Sequence, residues 1–379
     1  METPHAGFAL KWGRSANGAR RLSAERSAHL KGSSSVGLES VTMRVLLIGG
    51  SGFIGPHVAG ALDRLGHEVV IFHRGKVPAP HEILGDRRKL TDHASALRAA
   101  APDVVVDLIL SSGTQARALM TVFRGASGRV VALSSCDVYR ACGVLHGSES
   151  GPLEPLPLTE SSRLRTVLQT YPPERVKMLQ QVFGWLDEEY DKIPVEREIL
   201  GDPDLPGTVL RLPMVYGPGD PLHRFFPTLK RMDDRRPAIL FEEKLACWRS
   251  PRGYVENVAD AIALAASNDR AASRIYNVGE AESFSELDWA QQIAKVTGWS
   301  GKLVTLPAEH TPAHLQWPGN LDQHWTIDTT LIREELGYRE SIAQEDAIRR
   351  TIEWERTNPP PVDPRAFDYT AEDVALRRR

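Results

Sequence analysis

Short apolar runs alternate with helical patterns along residues 43–140, and this regularity sets the expected fold. The run DVVVDLI at 103–109 is almost continuously apolar, which is typical of a strand covered on both faces. The alternation predicts an α/β fold with a doubly wound parallel sheet. The predicted strands are 44–48, 68–72, 103–109 and 129–134, with a further strand at 208–212 after a long insertion at 141–190.

Helical patterns fill much of the remaining chain. The insertion predicts a helix over 176–190, and VENVADAIALAA predicts an apolar helix over 255–266. Ser283 and Ser285 are both placed to cap the next helix, and Gly298 is placed to end it. The last third predicts helices over 283–298, 329–336 and 343–355, a strand at VTLP, and a tail over 357–379 that wraps or frays.

Composition narrows the class of protein. A chain of 379 residues with 25% charged and 41% apolar residues is typical of a globular protein with two or three domains. A net charge of −3 gives no reason to expect nucleic acid or a membrane surface as a partner. Three cysteines without a CxxC motif favour a reducing, cytoplasmic location. Residues 1–42 lack apolar periodicity and predict a disordered or non-native extension before Met43, with an Arg- and Ser-rich transit peptide as the alternative.

The segment MRVLLIGGSGFIG at 43–55 carries the strongest chemical signal. Its apolar run stops at a turn in which Gly49, Gly52 and Gly55 follow at three-residue intervals, and a helical pattern comes next. Strand, glycine turn and helix together can hold a dinucleotide pyrophosphate, because backbone N–H groups and the positive end of the helix then face the phosphates.

Two hydroxyls end a strand at RVVALSSCDVYR, residues 129–140. Open α/β sheets bind ligands at the carboxyl ends of their strands, so Ser134 and Ser135 could contact a substrate oxygen. The alternative is that the two serines only cap the following turn.

Taken together, GGSGFIG, SSCDVY, RLPMVYGPGD, YVENVADAI and RIYNVGEAESFSELDWAQQIAKVTG resemble the extended short-chain dehydrogenase/reductase superfamily, in its NAD(P)-dependent epimerase/dehydratase branch. The resemblance covers about 43–300. It implies a Rossmann domain, a smaller C-terminal α+β substrate domain, and a catalytic Ser or Thr, Tyr and Lys. The implied division is a Rossmann domain over 43–215, a substrate lobe over 216–356 with 250–280 returning to the Rossmann domain, and the tail.

By this resemblance Ser135 is the catalytic hydroxyl, while the Tyr-x-x-x-Lys pair is disturbed. If Lys192 is the family lysine, Glu188 stands at the tyrosine position; if Tyr190 is the family tyrosine, Pro194 stands at the lysine position. A helix that starts near Pro194 would leave 190–193 extended, with Tyr190 and Lys192 on the same side. The hypothesis is a rearranged Tyr190/Lys192 pair beside Ser135, and the alternative is a degenerate site.

The end of the second strand indicates which dinucleotide is used. NAD sites carry an acidic residue there for the ribose 2′-OH, whereas this chain has Arg74 and Lys76, which could meet a 2′-phosphate. NADP is therefore expected, with NAD as the alternative. The resemblance implies further cofactor contacts from the residues Gly49, Gly52, Phe53, Ile54, Gly55, Asp86, Leu108 and Lys192.

These observations predict an NAD(P)-dependent oxidoreductase, epimerase or dehydratase acting on a polar, sugar-derived small molecule, in the form of a homodimer. The family often has Asn where Met214 stands, which weighs against a nucleoside-diphosphate sugar. Its usual arginine before the YV motif is Arg249 or Arg252. No histidine pair has metal-ligand spacing, so no metal is expected. The second hypothesis is a non-catalytic or regulatory NAD(P)-binding protein.

Overall fold

The apolar runs form a parallel sheet of seven strands in the computed structural model, which describes residues 42–75, 78–169 and 171–378. The expectation for residues 1–42 therefore concerns a segment that lies, except for Thr42, outside the described residues, and so does Lys76. The described strands are β1 Arg44–Ile48, β2 Glu68–His73, β3 Glu82–Leu84, β4 Val104–Asp107, β5 Arg129–Ser135, β6 Gly207–Leu212, β7 Met214–Tyr216, β8 Ala238–Glu242, β9 Arg252–Tyr254, β10 Ile275–Asn277 and β11 Lys302–Leu306.

The described α-helices lie between and after these strands. They are α1 Gly55–Arg64, α2 Ala94–Ala99, α3 Gly113–Phe123, α4 Arg140–His146, α5 Pro173–Val182, α6 Lys192–Leu200, α7 Phe226–Asp233, α8 Glu243–Cys247, α9 Val255–Ser267, α10 Glu286–Thr297, α11 Thr330–Leu336, α12 Gln344–Thr357 and α13 Tyr369–Arg377. None of these helices is long and apolar enough to cross a bilayer.

The main sheet has the strand order β10-β6-β5-β4-β1-β2-β3. The chain builds outward from β1 to β2 and β3, then returns to the other side of β1 for β4, β5 and β6. The strand order therefore reverses between β1 and β4, where sheets of this kind bind their ligands. The expected doubly wound α/β fold is confirmed.

Side chains of β1 show why the sheet is covered on both faces. Val45 and Leu47 join the hydrophobic core that contains α1 and α9, while Leu46 and Ile48 join the core that contains α3 and α6. Successive side chains of a strand point to opposite faces, so an unbroken apolar run needs helices on both sides.

Two further pairs of parallel strands, β7 with β9 and β8 with β11, lie outside the main sheet. The tail forms α13, and its buried Glu372 accepts hydrogen bonds from Arg231 of α7 at 2.6 and 3.1 Å. The predicted division into domains stays a prediction.

Helix α10 shows a correctly predicted cap. Ser285 and Asp288 form a reciprocal capping box, and Gly298 ends the helix with a φ of 70°. The helix begins at Glu286 instead of residue 283, since Ser285 alone is the capping residue.

The prediction of one helix over 176–190 is wrong. Helix α5 ends at Val182, residues 183–191 are not helical, and α6 begins at Lys192. The Asp191 side chain accepts a hydrogen bond from the backbone N–H of Ile193 at 2.8 Å, which fixes the start of α6. The expected helix start near Pro194 is confirmed to within two residues, since Pro194 stands in the first turn of a helix that begins at Lys192. The expectation that 192 and 193 are extended is wrong, because both residues belong to that turn.

Candidate functional site

The glycine turn between β1 and α1 has a backbone that other residues would not fit. Gly49 has a φ of 90°, a conformation that favours glycine. A Cβ on Gly55 would lie 2.4 Å from the Gly50 carbonyl carbon, so the start of α1 packs directly against the turn. A Cβ on Gly52 would meet only the Gly49 oxygen, at 3.6 Å, and Gly52 is exposed. The turn is thus tight behind Gly55 and open in front of Gly52, as a phosphate cradle requires.

The neighbours of this cradle also lie at the carboxyl edge of the sheet. Phe53 and Ile54 are partly buried. The Phe53 ring packs close to Gly219, since a Cβ on that glycine would lie 3.3 Å from the ring. Leu108 is buried directly after β4 and donates its backbone N–H to the Ile48 oxygen at 3.0 Å. These residues border the point where the strand order reverses.

The end of β2 presents a cation, Arg74, beside the carboxylate of Asp86. Arg74 follows β2 and is exposed, and its charge lowers the pKa of Asp86. Asp86 is held mainly by the Arg88 guanidinium at 2.7 Å, which lowers its pKa to about 2. Glu82 is held by His73 at 2.8 Å. The carboxylates of Asp86 and Glu82 therefore already have protein partners.

The two serines that end β5 have different environments. Ser134 is buried and donates to Glu196 of α6 at 2.6 Å. Ser135 is partly exposed, and its hydroxyl accepts the backbone N–H of Asp137 at 3.2 Å. Ser134 therefore serves the core, while Ser135 stands at the open edge of the sheet.

Lys192 is the first residue of α6 and its side chain is buried. Its ammonium group donates to the Leu133 carbonyl at 3.0 Å and to the Leu110 carbonyl. Burial lowers the pKa of Lys192 to about 8, against the opposing effect of the Asp137 carboxylate. The lysine is thus fixed between the ends of β4 and β5.

One turn after Lys192, Glu196 forms a buried ion pair with Arg211 of β6 at 2.7 and 2.9 Å. This pair ties α6 to the centre of the sheet and therefore fixes the direction of the Lys192 side chain. Glu188, which occupies the tyrosine position in the Lys192 register, is exposed.

Asp137 is the residue that sequence reasoning missed. It is buried, and its Oδ2 accepts hydrogen bonds from the Tyr190 hydroxyl at 3.0 Å and from the Tyr171 hydroxyl at 3.4 Å. Its Oδ1 is buried without a hydrogen-bond partner among the described residues. Burial raises the pKa values of Asp137 and Tyr190, so Asp137 is a stronger base than an exposed carboxylate and Tyr190 is a weaker acid than an exposed phenol. The only sequence signal was an acidic residue two positions after Ser135, which resembles an ordinary turn.

The structure brings the Tyr190 ring to 5.8 Å from the Lys192 Nζ, on the same side of the chain. The Tyr190 hydroxyl hydrogen-bonds Asp137, and the Ser135 hydroxyl also contacts Asp137, through its backbone. Asp137 thus connects the three residues that the sequence singled out. Among the described residues, no group of three His, Cys, Asp or Glu side chains could hold a metal ion.

Both candidate arginines before the YV motif have partners. Arg252 donates to both carboxylate oxygens of Glu286, at 2.7 and 2.8 Å, and its guanidinium lies 4.6 Å from the centre of the Trp289 ring. Arg249 donates to the Ser283 carbonyl at 2.8 Å. Met214 stands in β7 and has no polar side-chain group, while the Arg252 guanidinium is engaged with the Glu286 carboxylate.

The profile of the NAD dependent epimerase/dehydratase family matches residues 45–279, which is more than half of the chain. The chain belongs to this family. The resemblance to extended short-chain dehydrogenases is thereby confirmed, and family membership assigns NAD(P) as the cofactor. The glycine cradle fits that group, since it is open in front of Gly52 and closed behind Gly55.

Among curated relatives, the chain is similar to 2'-dehydrokanamycin reductase of Streptomyces kanamyceticus, with 26% identity over 292 residues and 73% of each chain covered. It is also similar to UDP-N-acetyl-alpha-D-glucosaminuronate decarboxylase of Bacillus cytotoxicus, with 22% identity over 348 residues, covering 83% of this chain and 98% of the relative. The fold is shared with MoeE5 in complex with UDP-glucuronic acid and NAD, with a TM-score of 0.60, 23% identity and coverage of 83% and 99%. UDP-glucose-4-epimerase of Stenotrophomonas maltophila shares it with a TM-score of 0.61, 20% identity and coverage of 83% and 98%.

Proposed function

We propose that this chain is an NADP-dependent enzyme that exchanges hydride with a hydroxyl- or ketone-bearing carbon of a sugar-derived substrate. The observation that carries the proposal is the convergence of Tyr190, Asp137 and Lys192 at the carboxyl edge of β5. A phenol, a buried carboxylate and a fixed ammonium group within one small region form an acid–base site beside the glycine cradle.

In this proposal the bound nicotinamide accepts or supplies the hydride, and the chain handles the proton. The Tyr190 hydroxyl already donates to Asp137, and burial favours the protonated phenol. Tyr190 therefore takes the proton of a substrate hydroxyl as it passes its own proton to Asp137, and the reverse transfer serves ketone reduction. The raised pKa of Asp137 supports its role as the acceptor. Ser135 positions the substrate oxygen, and Lys192 holds ribose hydroxyls.

Variants at Tyr190 and Asp137 test this proton path. Tyr190→Phe and Asp137→Asn should both lower kcat by about 10²- to 10⁴-fold, the usual contribution of general acid–base catalysis, while NADP binding stays close to wild type. The matched control is Tyr276→Phe, which removes a partly buried hydroxyl that hydrogen-bonds Glu335 at 2.7 Å. Unchanged turnover in Tyr190→Phe would reject Tyr190 as the proton carrier. Cofactor binding without turnover in the wild type would instead favour the non-catalytic hypothesis.

The preference for NADP rests on Arg74. The carboxylates of Asp86 and Glu82 are held by Arg88 and His73, so neither is free to accept a hydrogen bond from a ribose 2′-OH, whereas a 2′-phosphate finds the exposed guanidinium of Arg74. Arg74→Ala should weaken NADP binding about 10- to 100-fold and leave NAD binding unchanged, since a charge-assisted hydrogen bond contributes about 1.5–3 kcal/mol. Arg64→Ala removes an exposed arginine paired with Asp260 and serves as the control in calorimetric titrations. Tighter binding of NAD than NADP by the wild type would overturn the preference.

The substrate proposal follows from Met214, which has no polar side-chain group for a nucleoside diphosphate, and from Arg252, whose guanidinium is already paired with the Glu286 carboxylate. We therefore favour a glycoside alcohol or ketone without a nucleotide. The name of the Streptomyces relative describes a ketone of this kind, whereas MoeE5 was solved with UDP-glucuronic acid. The test follows nicotinamide absorbance with 2'-dehydrokanamycin and NADPH, and separately with UDP-glucuronic acid and NADP. Turnover of the UDP-sugar alone would overturn this substrate class and leave the cofactor proposal standing.

A further inference from the structure

Residues 183–191, which we term the strap, cross the carboxyl edge of the sheet between α5 and α6. At one end, a Cβ on Gly184 would lie 3.7 Å from the Arg74 guanidinium. In the middle, the Asp187 N–H donates to the Ser111 hydroxyl at 2.8 Å, just after β4. At the other end the strap joins Lys192. The strap therefore runs from Arg74, the candidate contact for the 2′-phosphate, to Lys192, the candidate contact for the ribose hydroxyls.

Specific hydrogen bonds attach the strap to the sheet edge. Ser112 donates its hydroxyl to the Asp187 carboxylate at 2.7 Å, and the Asp191 N–H donates to the Ser111 carbonyl at 3.1 Å. Leu186 is buried at the same place. By contrast, no residue of the adjoining helix α5 is buried. The strap is thus attached to the sheet edge by several contacts, whereas the adjoining α5 has no buried residue.

Trp185 and Tyr190 flank the ammonium group of Lys192. The Lys192 Nζ lies 5.7 Å from the centre of the Trp185 ring and 5.8 Å from that of Tyr190. Two of its three donors bond carbonyls of Leu110 and Leu133. A ribose hydroxyl that takes the remaining donor must approach beside these two rings. Trp185 is itself partly exposed, so part of its surface is accessible to a ligand.

We propose that Trp185 is a binding residue for the nicotinamide-riboside half of the dinucleotide, presented by the strap as Lys192 holds the ribose. The inference rests on the proposed function, because it needs the dinucleotide to reach Lys192. It adds a contact from Trp185, a residue that the sequence analysis placed in a helix and in no site.

Calorimetric titration of the full chain with two probes tests the proposal. NADP spans both halves of the site, whereas adenosine 2′,5′-bisphosphate reaches only the adenine half near Arg74. Trp185→Leu should weaken NADP binding about tenfold, the effect of losing one aromatic contact, and leave the bisphosphate unchanged. Trp185→Phe should recover part of the NADP affinity. Trp299→Leu, which removes a partly buried indole after α10, is the matched control and should bind both probes as the wild type does.

The outcomes separate the two proposals. Equal weakening of both probes, or no weakening of either, would overturn the role of Trp185 while cofactor binding stands. Failure of the wild type to bind either probe would overturn the proposed function and this inference together. If Trp185→Leu does not fold, as seen in its melting curve, the comparison of Trp185→Phe with the wild type decides: a selective loss of NADP affinity supports the role, and equal affinities overturn it.

Discussion

Two alanine substitutions in the glycine turn should separate its role in folding from its role in binding. On Gly55 the new Cβ would lie 2.4 Å from the Gly50 carbonyl carbon, whereas carbon atoms in contact are normally about 3.5–4.0 Å apart. The contacting atom belongs to the backbone, so α1 or the turn must move by roughly 1 Å. Overpacking of this kind costs about 1–3 kcal/mol and occasionally more, a large share of the roughly 5–15 kcal/mol that stabilises a domain.

Gly52→Ala is the matched change. Its Cβ would meet only the Gly49 oxygen at 3.6 Å, an ordinary contact, and Gly52 does not adopt a positive φ. The free energy of unfolding should therefore change by less than about 1 kcal/mol. The methyl group would, however, enter the open space in front of the turn, where backbone N–H groups must approach a pyrophosphate. NADP affinity should fall at least tenfold.

Urea unfolding and NADP titration of both variants provide the measurements. We expect Gly55→Ala to lose stability by about 3 kcal/mol, and Gly52→Ala to keep its unfolding midpoint while losing affinity. Wild-type affinity in Gly52→Ala would refute the assignment of this turn as the phosphate site. Wild-type stability in Gly55→Ala would refute the close packing of α1 on the turn.

Further predictions concern the ionisable groups. Activity that depends on the Lys192 ammonium should fall as pH rises through about 8, the pKa to which burial lowers this lysine. The Asp137 carboxylate raises the pKa of Lys192, so its removal in Asp137→Asn should lower that pKa. The residual activity of Asp137→Asn should therefore begin to fall at a lower pH than the activity of the wild type. Glu196→Ala should lower the free energy of unfolding by about 3–5 kcal/mol, since it leaves the buried Arg211 charge without its ion-pair partner. Glu198→Ala, which breaks an ion pair with a largely exposed arginine, should change it by less than about 1 kcal/mol in the same urea titration.

The parallel sheet and its glycine turn could be predicted because their causes are local. An unbroken apolar run such as Val104–Asp107 needs cover on both faces, and a turn with a φ of 90° at Gly49 needs glycine. The predicted β1 agrees with the structure at both ends, and β2 and β5 each extend one residue further. Local patterns sufficed here because the apolar residues within each strand show which of its faces are buried.

The insertion could not be predicted in the same way because distant partners determine its conformation. The Arg165 side chain forms a buried ion pair with Asp191 at 3.2 Å, 26 residues away, and donates to the Asp137 carbonyl. These contacts place Tyr171 and Tyr190 on one carboxylate. Nothing in the spacing of the two tyrosines predicts that, since 19 residues of mixed helix and loop separate them. The sequence pattern predicted a helix over 176–190, but α5 ends at Val182.

The position of Tyr190 explains why each register of the Tyr-x-x-x-Lys pattern matches at only one of its two residues. In a single helix, four residues bring the two side chains to one face, which is why the pattern needs that spacing. Here α6 begins at Lys192, so Tyr190 lies before the helix and reaches the lysine across the Asp191 cap, two residues away. The hydroxyl then meets Asp137 instead of standing free. In the proposed mechanism the lysine need not keep this carboxylate-bound phenol as a phenolate, and Asp137 takes over part of the proton chemistry that a free tyrosine and lysine would otherwise share.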